Sequence, residues 1–104
     1  MYFSEAENQR LFRSFLQLIE NPLSCVWADF VNTSVVTGRT NNQHITSFLQ
    51  GMDSLGEAFI FGADDPAHWL ESLGYSFVET ISAGEYLNEI DAVLNTYSFS
   101  VAKR

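Results

Sequence analysis

Glycine is sparse in this chain. All six glycines, at positions 38, 51, 56, 62, 74 and 84, stand alone. No loop can therefore bring successive glycine amides around a phosphate, which excludes the usual nucleotide-cradling turns. Cysteine is scarcer still. Cys25 is alone, so no intrachain disulfide can form, and a reducing cytoplasm is the expected setting. It lies in the apolar run Cys25-Val26-Trp27 and is expected as a small buried hydrophobe rather than a nucleophile. Basic residues are few and scattered, at Arg10, Arg13, Arg39, Lys103 and Arg104, against 13 Asp and Glu. A net charge of −8 opposes nucleic-acid binding, which needs clustered cations. No apolar run approaches membrane-spanning length, and Ser4-Glu5-Ala6-Glu7 follows Met1-Tyr2-Phe3 directly, so neither a membrane span nor a signal peptide is expected. No Gly-x-Ser-x-Gly elbow occurs, and His44 and His68 lack further ligands at metal-binding spacing.

What the chain has in quantity is apolar and aromatic surface. Nine Phe, four Tyr and two Trp in 104 residues predict one folded domain over 1–104, with aromatic surface left for a partner. Three signatures mark helix starts. Ser4 with Glu7, Thr40 with Gln43 and Ser82 with Glu85 have the spacing of capping boxes, in which each residue satisfies the other's orphan donor. After the first, Leu11, Phe12, Phe15, Leu16 and Ile19 form one apolar stripe that Asn21-Pro22 ends. After the second, Ile45, Phe48, Leu49 and Met52 predict a helix from about 41 to about 52. After the third, Tyr86, Leu87 and Ile90 mark a short helix. Asp65-Pro66 predicts another helix start, with Trp69, Leu70 and Leu73 buried and Gly74 as its left-handed stop. Strands are expected at Ser24 to Val31, at Tyr75 to Thr80 and at Tyr97 to Ala102, with Asn32 to Arg39 a loop and Leu55 to Gly62 an extended piece. Asp29 interrupts the first strand near its C-terminal end, where ligands gather in α/β sheets; it reads either as a site residue or as an acid satisfied by backbone and water.

The stretch Gly56-Glu57-Ala58-Phe59-Ile60-Phe61-Gly62, then Asp65-Pro66, Leu73-Gly74-Tyr75 and Val78-Glu79, resembles the C-terminal part of the leucine carboxyl methyltransferase-like family. These are class I S-adenosylmethionine-dependent methyltransferases. Ser82, Glu85, Tyr86 and Leu87 are similar to the family's next short helix, and Tyr97 to Arg104 to its basic-tailed last strand. Tyr2-Phe3-Ser4 looks like the segment after the fourth strand, and Ser24 to Asn32 like the fifth. Thr33 to Leu55 matches poorly. The resemblance implies an α/β fold: a small mixed three-stranded sheet, its last strand central and antiparallel, with packed helices.

The family's donor-binding positions have no counterpart here, so the resemblance implies a truncated, methyltransferase-like chain that is not catalytic alone and binds no cofactor by itself. Tyr2 and Asp29 are the substrate-cleft residues it would carry over; no catalytic or metal-binding residue is expected. It also leaves Ser24–Val31 as an unpaired edge carrying Trp27 and Phe30, an aggregation liability unless covered. Two arrangements would cover it: a homodimer pairing this strand with its twofold mate, or a second polypeptide completing a split carboxyl- or O-methyltransferase that binds S-adenosylmethionine. A small acidic interaction or ligand-binding domain, with Tyr2, Trp27, Trp69, Tyr75 and Tyr86 as pocket or core, is the third reading.

Overall fold

The computed structural model describes residues 3–21, 23–37, 42–56, 59–86 and 93–104. Three strands, β1 (Val26–Val31), β2 (Ser76–Ser82) and β3 (Tyr97–Lys103), form one sheet in the order β1-β3-β2. The last strand is central and antiparallel to both neighbours. Because β3 separates β1 from β2, those two run in the same direction without sharing a ladder. The sheet is thus antiparallel throughout rather than mixed.

Helix α1 (Glu5–Leu18) begins at the expected capping box. Glu7 N–H donates to Ser4 Oγ at 3.2 Å, and Ser4 N–H donates back to the Glu7 carboxylate at 3.1 Å. Its C-terminal end has no cation in its own last turn; Arg104 supplies one from 85 residues away, donating to Ile19 O at 3.3 Å.

Two short surprises follow β1. Thr33–Thr37, expected as loop, forms helix α2. Its first turn is held from two sides: Asn32 Oδ1, just before the helix, accepts from Val35 N–H at 3.3 Å, and the distant Asp64 accepts from Thr33 N–H at 2.8 Å and from the Thr33 hydroxyl at 2.7 Å. Helix α3 (Gln43–Ser54) is capped by Asn42, whose side chain accepts from His44 and Ile45 N–H. The alternative cap, Thr40, lies outside the described residues, as do Leu87 and Ile90.

Helix α4 (Pro66–Ser72) follows its sequence signature closely. Asp65 Oδ1 accepts from His68 N–H at 3.0 Å, and Pro66 occupies the first turn. At its end Gly74, at φ +108°, donates to Glu71 O while Tyr75 N–H donates to Leu70 O, a Schellman stop. α5 (Ala83–Tyr86) follows β2, with Glu85 N–H donating to Ser82 Oγ at 3.2 Å, and a 3-10 turn over Leu94–Thr96 leads into β3.

Strand alternation gives the sheet two unlike faces. On one, Phe30 and Ala102 meet Phe12 and Ile19 from α1 and Leu70, Leu73 and Tyr75 from the α4 region, all buried. The rings interlock: Phe12 lies edge-on to Trp69 at 5.3 Å, and the Tyr75 hydroxyl donates to Phe12 O. Phe30, expected to need a partner, is covered by this layer. On the other face, Val31 and Tyr97 pack at one end with Val35 of α2, Phe59, and Phe48, Leu49 and Met52 of α3. The backbone draws close here: a Cβ on Gly62 would fall 2.7 Å from Asn32 O, so glycine is required, and Ala63 N–H donates to Val31 O at 2.8 Å. Cys25 is exposed, not buried, because β1 begins one residue later and the helices stop short of it.

β2 holds the one described non-glycine residue with positive φ. Phe77 sits at φ +53°, where the register with β3 slips between Ser76 and Glu79. A bulge with a left-handed first residue normally takes glycine there. A bulky side chain in this region costs about 1–2 kcal/mol, and the Phe77 ring is 81% exposed, so burial inside this chain offsets little of that. Phe77→Gly should therefore raise stability by about 0.5–1 kcal/mol, read as a higher urea midpoint with unchanged slope. A lower midpoint would contradict this account of the bulge.

Candidate functional site

Only half of the second sheet face is covered by α2 and α3. The rest is open among the described residues, and cross-strand pairing fixes what stands on it. One row runs Trp27, Val101, Glu79 across β1, β3 and β2; the next runs Asp29, Phe99, Ile81. Trp27 reaches diagonally to stack on Phe99, with centroids 5.4 Å apart and planes 18° from parallel. Trp27 remains 62% exposed, a large apolar ring facing solvent from an edge strand.

The floor is a real depression. Trp27, Phe99, Val101 and Ile81, with Glu79 and Thr80 on the β2 side, line a cavity of about 470 Å³. A second cavity of about 630 Å³ shares Glu79 and Val101 with it and extends past Phe77 to Ile19, Lys103 and Arg104. The two adjoin at Glu79 and Val101, with Phe77 lining only the larger one. Glu79 and Asp29, both exposed, stand at opposite corners of the aromatic floor.

Asp29, singled out in the sequence, is on this face opposite Phe99, and among the described residues no side chain hydrogen-bonds or pairs with its carboxylate. Tyr2 lies outside the described residues, so nothing here brings the two together. Trp69 and Tyr75 belong to the helix-covered core instead. Phe77 is the feature the sequence did not single out. Alternation of Tyr75 and Phe77 with Ser76 and Val78 signals a strand but not a bulge, since bulges of this kind are marked by glycine.

Both histidines are exposed, and neither imidazole is hydrogen-bonded to a serine, cysteine or carboxylate among the described residues. Among those residues no group of three or more His, Cys, Asp and Glu could hold a metal ion. No helix is long and apolar enough to cross a membrane among them. Comparison of the chain with family models, with characterised proteins and with solved structures finds no match.

A second cleft, at the C-terminal end of β1, is lined by Thr33, Gly62, Asp64, His68 and Trp69 among others. Of the carboxylates lining it, Asp64 is already committed: the Thr33 hydroxyl and then the Thr33 N–H hold its carboxyl below the usual aspartate range. A depressed folded pKa gives stability that is present above the unfolded value and lost as pH falls through the folded one. Asp64→Asn should thus cost less than about 1 kcal/mol at pH 7, since the site is solvent-exposed. It should also flatten the loss of stability below about pH 4. Urea midpoints of both proteins at neutral and acid pH check this; parallel losses in the two would refute it.

Proposed function

We propose that this chain is an assembly module, built on a methyltransferase-like half-sheet, whose β1 edge pairs with that of a second copy. The observation that carries the reading is the direction of the β1 backbone. Asn32 N–H donates inward to Thr96 O, so even-numbered residues of β1 face β3 and odd-numbered ones face outward. At Val31 the outward carbonyl is taken by Ala63. At Trp27 and Asp29 the outward N–H and C=O groups are available to a new strand. A twofold register centred on Ala28 sets each copy's Trp27 opposite the other's Asp29 and keeps both clear of the Ala63 contact.

The central, antiparallel last strand supports the methyltransferase-like reading of the architecture, because that resemblance implied it. The isolated glycines support a module over an enzyme, since no described loop offers a cradle for a nucleotide-like donor. Methyl transfer to a carboxylate demands chiefly orientation of donor and acceptor, so without a donor site there is little for the remaining residues to catalyse.

Multi-angle light scattering at tens of micromolar should give a dimer mass. Asp29→Pro should give a monomer with an unchanged circular dichroism spectrum: the proline removes an outward N–H and leaves the β1–β3 ladder whole. A monomeric wild type, or a dimer indifferent to that proline, would sink the proposal.

A further inference from the structure

We infer that the open half of the sheet docks a basic amphipathic helix of a partner protein, with Phe77 as its anchor. The surface adjoins the β1 edge at Trp27 and Asp29, but it uses side chains of the sheet face rather than outward backbone groups, so the inference does not depend on edge pairing.

Three observations lead there. The first is the missing quarter of a layered fold. Helices α1 and α4 cover one sheet face, and α3 covers half of the other. Beside α3 the same face presents Trp27, Phe99, Val101 and Ile81 as an apolar depression of about 470 Å³, where a further helix would continue the existing layer.

The second is Phe77. Its backbone is held in a left-handed conformation that glycine and asparagine adopt readily and bulky side chains do not, and the residue is left 81% exposed beside the depression. A glycine would satisfy the bulge. A phenylalanine there makes sense only if the ring is used outside the chain, since backbone strain of this kind gathers at binding sites.

The third is charge. Asp29 and Glu79 flank the aromatic floor, and Glu20 stands near its far end. At that far end Lys103 and Arg104, whose bond to the neutral Ile19 O leaves its charge intact, offset Glu20, so the excess of acid lies at Asp29 and Glu79 beside the floor. A second copy seated face to face would set these acids against themselves, with −8 on each chain. A helix with an apolar ridge for the floor and Lys or Arg for the two flanking carboxylates is complementary in both respects.

The test uses two synthetic amphipathic helices of about 18 residues, one leucine/lysine and one leucine/glutamate. Each is titrated into the whole chain while tryptophan emission is followed. The leucine/lysine helix should bind and shift the Trp27 emission to the blue, and the leucine/glutamate helix should not. Phe77→Gly keeps the charge unchanged and should weaken binding by about tenfold or more. Phe77→Asn, another residue at home at this φ, should do the same. Leu18→Ala, which removes an exposed apolar side chain on α1, should leave binding unaltered. Equal affinity of the Phe77 variants and the wild type would show plain charge attraction and overturn the inference. So would equal binding of the two helices, or binding of neither.

Discussion

The ladder that Tyr97–Lys103 makes along both of its edges is the constraint on which the other elements depend. β1 and β2 lie 44 residues apart between Val31 and Ser76 and meet only through this strand. Remove it and neither has a partner. Its insertion also decides which side chains face which layer, because the pairing register aligns odd-numbered residues of all three strands on one face beyond the β2 bulge. The aromatic floor and the aromatic core are two consequences of one register.

That register produces an uneven division of apolar surface. The helix-covered face takes small residues from β3, with Ser100 and Ala102 each 1% exposed, so that Phe12, Phe30, Trp69 and Tyr75 can fill the space above them. Ser100 is tolerable there because its hydroxyl pairs with that of Thr80 at 2.8 Å. The larger residues of β3, Tyr97, Phe99 and Val101, go to the opposite face. There α2 and α3 reach Tyr97, while Phe99 stacks with Trp27 and lines the depression with Val101. Stacking of Trp27 on Phe99 contributes about 0.5–1.5 kcal/mol beyond burial, yet most of the Trp27 ring stays wet. The two edges of the sheet thus carry the two features a partner can use: outward backbone groups on β1, and the strained Phe77 on β2.

Much of this was legible where the signal is local. Ser4-Glu7, Asp65-Pro66 and Gly74 act within one turn of chain, and each performs in the structure as its spacing predicts. The central place of Tyr97–Lys103 was expected from resemblance, and its apolar alternation agreed with it. What stayed hidden depends on distant residues. α2 has a local cap in Asn32, but the hold on its first residue comes from Asp64, 31 residues away, and the sequence gives no sign of that contact. Cys25 and Phe30 were misjudged for the same reason, since the layer over the sheet and its extent are properties of α1 and α4. The Phe77 bulge had no signal at all, because the residue that would announce it, glycine, is not there.

Nuclear Overhauser contacts between α-protons across β3 test the central claim most directly. In an antiparallel sheet the non-hydrogen-bonded pairs bring these protons closest. The account predicts strong contacts from Phe99 to Asp29 and from Val101 to Trp27 on one side, together with Ser100 to Thr80 and Ser98 to Ser82 on the other. Contacts to only one neighbouring strand would make β3 an outer strand, and the open face and the β1 edge would both have to be redrawn.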